Sequence, residues 1–220
     1  MNPALRWLLV AVVALLIWSG VHPHDYATWI FELAFGLAGV AALIATAPRF
    51  RFSNLAYLLA GIHFAILAAG AKYTYAEMPL FNWLRDALHL SRNHFDRVGH
   101  FAQGFVPAIF AREVFVRVAG VRRGGWLAFF VVCFCLAFSA FYELIEWWVV
   151  VLCYPHEGPA WLGMQGDPWD AHQDMLMALL GAISAVLLLS RAHDRSMARI
   201  GCPASADPPP KNATGVDAAS

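Results

Sequence analysis

Charged residues are scarce in this chain of 220 residues: Asp, Glu, Lys and Arg together make up 14% of it, whereas 60% of the residues are hydrophobic. A soluble domain has about 25% charged residues and needs polar side chains to cover its surface. The charges that are present cancel to a net charge of zero, so the chain exerts no long-range attraction on polyanions. The composition therefore excludes a nucleic-acid-binding protein and a soluble cofactor enzyme, and it indicates an integral membrane protein.

Cysteine is also rare, and several catalytic motifs are missing. The four cysteines form no CxxC pair, and Cys133 and Cys135 lie in an apolar run, where thiols behave as small hydrophobic side chains. This pattern excludes a secreted disulfide scaffold. The sequence also lacks the HExxH, GxSxG and Walker A motifs. The signatures of zinc proteases, α/β-hydrolases and P-loop enzymes are therefore absent.

Apolar segments long enough to cross a bilayer recur along the chain. A membrane-spanning helix needs roughly 20 largely apolar residues. We therefore expect an all-α, polytopic membrane protein with six transmembrane helices in a compact bundle, formed by residues 1–191. Residues 192–220 are rich in Pro, Ala and Ser and are predicted to form a disordered cytoplasmic tail. The predicted spans are residues 5–21, 28–47, 55–76, 97–118, 126–152 and 171–190.

Lys and Arg are unevenly divided between the two sides of these spans. With the N-terminus in the cytoplasm, eleven of the fifteen basic residues fall on the inner side, and only Lys72, Arg85, Arg92 and Arg97 fall on the outer side. Because cytoplasmic loops carry the excess of Lys and Arg, both termini are predicted to be cytoplasmic. Eight of the nine histidines fall on the outer half, a bias that this rule does not explain.

Three of the predicted spans carry polar side chains at spacings that share one helix face. Residues three, four or seven positions apart lie on the same side of an α-helix. A rise of about 1.5 Å per residue places all three polar stripes in the outer third of the bilayer. They comprise Asp96, His100 and Gln103 in the fourth span, Glu143 and Glu146 in the fifth, and Asp170 and Asp174 in the sixth.

These ionisable side chains need partners, because a charge inside a span costs about 2.5–3.5 kcal/mol. A divalent cation with oxygen and nitrogen ligands would satisfy them, and so would a proton relay in which neighbouring acids raise one pKa. The cofactor is left open, with a divalent metal ion as the candidate. The candidate metal ligands are Asp96, His100, Glu143, Glu146, Asp170 and Asp174, and the candidate catalytic residues are His100, Glu143, Glu146 and Asp174.

Some of these positions also have a purely structural interpretation. Asp167 and Pro168 have the pattern of a helix N-cap followed by the first helical residue, which makes Asp170 a first-turn acid favoured by the helix dipole. Asp96, three residues after Asn93, has a similar explanation. The two glutamates of the fifth span have no capping explanation, so that their alternative role is a hydrogen bond to Arg or Tyr.

Four separate segments occur in an order that resembles a known family. They are KYTYAEMP (72–79), SRNHFDRVGHFAQGFVPAI (91–109), YELIEWW (142–148) and QGDPWDAHQDMLMALLGA (165–182). The chain resembles the YjdF-type family of bacterial inner-membrane proteins over residues 20–190, which implies six spans and a domain of unknown function. It is more remotely similar to VanZ-like membrane proteins, which implies a role at the cell envelope.

Three functions remain open. The polar stripes could form a metal-dependent or acid/base enzyme that acts on a lipid headgroup or a lipid-linked envelope substrate. They could instead lock the helices of a structural or partner-binding subunit by hydrogen bonds. A small proton-coupled transporter is disfavoured, because the inner halves of the spans are nearly all apolar. The expected partners are membrane lipids and no nucleic acid, in the bacterial inner membrane, with the oligomeric state left open.

Overall fold

The chain is built from α-helices, as the sequence predicts. The structure is a computed structural model that describes residues 2–153 and 162–202, and it contains no strand within those ranges. The helices are α1 (Pro3–Gly20), α2 (Tyr26–Thr46), α3 (Asn54–Tyr73), α4 (Pro79–Ala87), α5 (Phe95–Arg117), α6 (Gly125–Cys153) and α7 (Asp170–Ala198). We call the end of the bundle where α5 and α7 begin the outer end, after the predicted orientation.

Within the described residues, five helices are long and apolar enough to cross a membrane: α1, α2, α3, α6 and α7, with mean hydropathies of 1.6 to 2.2. They confirm a multi-pass membrane protein. The predicted fourth span, α5, is 23 residues long but does not meet the same criterion. Its charged residues lie near its two ends and lower its mean hydropathy; they are Asp96, Arg97, Arg112, Glu113 and Arg117.

Two predicted boundaries differ from the structure by three residues or more. α3 ends at Tyr73 rather than residue 76, because Thr74 adopts a φ of 60° that a helix cannot continue through. α7 runs to Ala198, beyond the predicted domain end at residue 191. Residues 203–220, most of the segment predicted to be disordered, lie outside the described residues.

A short helix, α4, was not predicted from the sequence. It follows α3 at the outer end and has nine residues, fewer than a span requires. Its apolar side chains Leu80 and Trp83 are 54% and 64% exposed. An amphipathic helix with Trp on its apolar face is typical of the membrane interface, where the ring meets the lipid head groups.

The closest helix pair in the bundle is α5 with α7, which run in the same direction. A Cβ at Gly104 would lie 1.8 Å from the carbonyl oxygen of Ala178, and a Cβ at Gly181 would lie 2.1 Å from that of Phe101. Only glycine therefore permits this approach, as in other membrane helix pairs with small residues at the contact. His100 lies one turn from Gly104 towards the outer end of α5, and this register places it beside Asp174 of α7.

A second polar network ties the helices together at the inner end. Glu113 is fully buried, and its carboxylate accepts the backbone N–H of Ser53 at 3.0 Å and lies 3.0 Å from Nε2 of His193. Arg112 donates to both oxygens of Asp194, at 2.9 and 3.1 Å. These paired charges join α3, α5 and α7, so we assign them a structural role.

Candidate functional site

The polar stripes of α5, α6 and α7 meet around one imidazole at the outer end. Nε2 of His100 lies 3.5 Å from Oδ1 of Asp96 and 3.7 Å from Oδ1 of Asp174. On the other side of the ring, Nδ1 lies 2.7 Å from Oε1 of Gln103 and 3.9 Å from Oε1 of Glu143. We call Asp96, His100, Glu143 and Asp174 the acid–histidine cluster.

The acid–histidine cluster is largely shielded. The side chains of Asp96 and Asp174 are each 5% exposed, and those of His100 and Glu143 are 12% and 11% exposed. Charges that are withdrawn from water interact more strongly with one another and with any bound cation than they would at the surface. The low exposure of these side chains therefore suits the cluster to binding a cation as well as to packing.

Two buried arginines neutralise the acids next to the cluster. Arg92 lies 3.0 Å from a carboxylate oxygen of Asp167 and 3.0 Å from one of Asp170. Arg97 lies 2.7 Å from Asp170 and also contacts Asp174. We call Arg92, Arg97, Asp167 and Asp170 the arginine network. It connects the start of α5 to the start of α7, and both arginines also reach Asp96 of the acid–histidine cluster, at 3.7 and 3.2 Å.

Asp167 is an ionised member of the arginine network. The pKa of its carboxyl lies below its usual range because the carboxylate accepts the backbone N–H of Trp169 and faces Arg92 and Arg97. Its Oδ1 lies 2.9 Å from that N–H. The predicted N-cap at Asp167 is wrong, because α7 begins at Asp170 with Trp169 in the cap position and no side-chain cap hydrogen bond.

The predicted metal ligands are not all placed alike. Asp96, His100 and Asp174 each offer a ligand atom, and these atoms lie within 4.8 Å of one another. Glu143 is beside this group, whereas Glu146 lines the adjoining cavity. Asp170 stands apart, because one of its oxygens accepts both arginines and the other accepts the backbone N–H of residue 164 at 2.9 Å.

A cavity of about 460 Å³ adjoins the acid–histidine cluster and extends between α2, α3, α5 and α6. Glu32 of α2 and His63 of α3 line it together with Glu146. Glu32 is not among the site residues predicted from the sequence, although it is the one charged residue within α2. A lone ionisable side chain in an apolar span is itself a signal of function, and this signal could have identified it.

Some buried polar atoms at the outer end lack a hydrogen-bond partner among the described residues. They include Oε1 of Glu143 and the Nε and one terminal nitrogen of Arg92. Buried polar atoms are nearly always satisfied by protein, water or a ligand. The unpaired Glu143 oxygen borders the acid–histidine cluster, so a group bound there would have an acceptor available.

Comparisons with known proteins connect the chain to a membrane family. The family described as "Predicted membrane protein (DUF2238)" matches residues 4–195. The inner membrane protein YjdF of Escherichia coli (strain K12) is 44% identical over 192 residues, which cover 87% of this chain and 91% of that relative. No solved structure matches the chain. The predicted YjdF-type resemblance and the inner-membrane location are confirmed, whereas the similarity to VanZ-like proteins stays a prediction.

Proposed function

This chain belongs to the DUF2238 family of predicted membrane proteins, and we propose that it is a metal-dependent membrane enzyme. In this proposal Asp96, His100 and Asp174 hold a divalent metal ion at the outer end of the bundle. The enzyme acts on the head group of a lipid or on a lipid-linked envelope substrate. The orientation of the His100 ring carries the proposal.

The hydrogen bond of His100 sets which ring nitrogen is free. Its Nδ1 lies 2.7 Å from the amide oxygen of Gln103. Since an amide oxygen only accepts, Nδ1 carries the hydrogen, and Nε2 of the neutral ring presents a lone pair. That lone pair faces oxygens of Asp96 and Asp174, a repulsive arrangement unless a proton or a cation lies between them. A metal-binding histidine is oriented in the same way by a partner on its other nitrogen.

The separations within the group suit a metal ion. Ligands at about 2.0–2.2 Å from a tetrahedral ion lie about 3.4 Å from one another. The Nε2 atom of His100 lies 3.5 and 3.7 Å from the two carboxylate oxygens, close to that spacing. One imidazole and two carboxylates leave a coordination position open for water or substrate.

Glu143 supplies the proton-transfer group of the proposed reaction. Its Oε1 lies 3.9 Å from the His100 ring and has no hydrogen-bond partner among the described residues. A bound divalent ion lowers the pKa of water and polarises phosphoryl or carbonyl oxygens. A carboxylate beside it can accept the released proton and return it to the leaving group.

A structural role is the second candidate, and the arginine network favours it. Arg97 lies 3.2 Å from Asp96 and contacts Asp174, so the arginine and a protonated His100 could balance both acids without a metal. In that case the acid–histidine cluster would only hold α5 against α7. The two functions differ in metal content, which makes them separable by experiment.

We also propose that α5 crosses the membrane, giving six spans with both termini in the cytoplasm. Its residues 98–111 carry no charge, and its charged residues near both ends are largely buried against neighbouring helices or paired. α5 runs alongside α7, which is itself long and apolar enough to span. A single membrane domain and a disordered tail remain proposals as well.

Metal analysis of the purified full-length chain tests the enzyme proposal. After exposure to Mn²⁺ or Zn²⁺ and gel filtration, we expect a single bound ion per chain. Asp174→Asn should lose it, whereas Asp86→Asn, at an exposed acid of α4, should keep it. Thermal unfolding of both variants shows whether they remain folded. A wild-type chain that retains no ion, or an Asp174→Asn variant that retains it fully, would contradict the proposal.

A further inference from the structure

The cavity beside the acid–histidine cluster is a groove that faces the bilayer. α2 packs on α3, α3 on α5, and α5 on α6, so α2 and α6 form its two rims. The two rims approach each other near the outer end, where the rings of Phe35 and Tyr142 form a T-shaped contact with centroids 5.1 Å apart. Further inward, the space between the rims gives lateral access from the lipid phase.

The lining of the groove changes from polar to apolar along its length. Its outer end is lined by Glu32, His100 and Glu146. Apart from His63 of α3, its remainder presents aliphatic and aromatic carbon, with Gly36 and Gly39 on the α2 side. The apolar part is lined by Val40, Leu43, Val106, Phe110, Val114 and Phe115. Such a gradient matches an amphiphile with its head at the cluster and its tail pointing inward.

The depth of the groove matches one leaflet of a bilayer. From Glu32 to Leu43 it follows α2 for eleven residues, which is about 16 Å at the helical rise of about 1.5 Å per residue. The hydrocarbon core of a bilayer is about 30 Å thick, so one leaflet contributes about half of that. A tail that begins at the outer end therefore fits along the groove.

The charge at the head of the groove favours a cationic group. No hydrogen bond or ion pair joins Glu32 or Glu146 to another residue in the described part of the chain. The nearby Arg92 and Arg97 are paired with Asp167 and Asp170, and Arg97 also contacts Asp96 and Asp174. His100 lines the same end of the groove, but its ring nitrogens face Gln103, Asp96 and Asp174. Two carboxyl groups that are bonded to none of these basic side chains attract an ammonium group.

We infer that the groove holds one hydrocarbon chain of an outer-leaflet phospholipid whose amine head group lies between Glu32 and Glu146. The inference deepens the proposed function by naming its substrate class, and it rests on that function for the role of the metal. The phosphate of such a lipid would lie between the amine and the acid–histidine cluster, within reach of a bound ion.

Gly39 offers a clean way to block the groove. It lines the groove on α2, and a Cβ added there meets no atom within 4 Å. A leucine side chain at this position therefore begins in open space beside the groove. Ala38, the preceding residue, is exposed and does not line the groove. Ala38→Leu is the matched control, because it adds a similar side chain to the lipid-facing surface.

Photo-crosslinking in vesicles tests the inference. The full chain is reconstituted in vesicles of phosphatidylethanolamine and phosphatidylglycerol that contain phosphatidylethanolamine with a diazirine in one acyl chain. We expect labelling of α5 at residues 106–114, which the groove exposes to a bound tail. Overpacking the groove in Gly39→Leu should reduce that labelling about tenfold, whereas Ala38→Leu should leave it unchanged.

A second experiment compares two lipids on the wild-type chain, so that its result does not depend on the folding of a variant. Phosphatidylglycerol with the same diazirine chain should label α5 several-fold less, because it lacks the amine. Equal labelling by the two lipids, α5 labelling that Gly39→Leu leaves intact, or crosslinks from these residues to a second copy would overturn the inference. Groove labelling in a chain that binds no metal refutes the proposed function alone, and bound metal without groove labelling refutes the inference alone.

Discussion

At the scale of single residues, the hydrogen bonding of buried charges distinguishes two polar sites in this protein, one at each end of the bundle. At the inner end every carboxylate of the network has a close donor: Glu113 has Ser53 and His193, and Asp194 has Arg112. At the outer end Glu143 has an oxygen with no hydrogen-bond partner among the described residues, and Nε2 of His100 lies 3.5 and 3.7 Å from oxygens of two acids. A satisfied network stabilises the fold, whereas an incomplete one leaves capacity for a ligand.

Glu113→Ala should destabilise the protein strongly. Removing this fully buried carboxylate leaves His193 and the Ser53 N–H without their acceptor. Breaking a buried pair in this way costs about 3–5 kcal/mol, which unfolding in mixed micelles would measure. Glu77→Ala is the matched control, since the Glu77 side chain is 63% exposed and its loss should change stability by about 0.5 kcal/mol or less. Equal effects of the two substitutions would show that the inner network contributes no stability.

At the scale of elements, helical periodicity predicted which residues share a face but not which helices are neighbours. The spacing of Asp96 and His100 and the position of Asp174 were enough to predict one site at the outer end. The arginine network was not predicted, because it depends on how the start of α5 lies against the start of α7. Glu32 was missed for a related reason, since the approach of α2 to the cluster is a property of packing.

The register of α5 against α7 should depend on Gly104. A Cβ at this position would lie 1.8 Å from the carbonyl oxygen of Ala178, so Gly104→Ala must move one backbone away from the other. We expect a loss of at least about 1–3 kcal/mol in the free energy of unfolding. Gly39→Ala provides the control, because a Cβ there meets nothing within 4 Å. If Gly104→Ala were as stable as the control, the close approach of these helices would be wrong.

At the scale of the whole molecule, the charges of α5 argue against a sixth span, whereas its length and packing argue for one. Its charges keep it from meeting the criterion that the other five long helices meet. Its length and its position beside α7 nevertheless fit a sixth span that is sheltered by its neighbours. Composition alone could not decide whether α5 spans the membrane, because a polar helix that is buried in a membrane bundle has a composition similar to that of a helix in a soluble protein.

Cysteine labelling across the membrane tests the six-span arrangement. In a background without native cysteines, Leu90→Cys precedes α5 and Arg122→Cys follows it, and both positions are exposed. We expect an impermeant maleimide to label Leu90→Cys in intact spheroplasts and Arg122→Cys only after lysis. Labelling of both from the same side would show that α5 does not cross, and the reverse pattern would show that the orientation is inverted.

The central claim is that His100 binds a divalent ion through its free nitrogen. Pulsed electron paramagnetic resonance of the full chain loaded with Mn²⁺ reports this directly, because a coordinated imidazole produces ¹⁴N modulation. We predict the modulation in the wild-type chain and in His172→Ala, an exposed histidine at the start of α7, and its loss in His100→Ala. Mn²⁺ that binds without nitrogen modulation, or modulation that survives in His100→Ala, would contradict the claim.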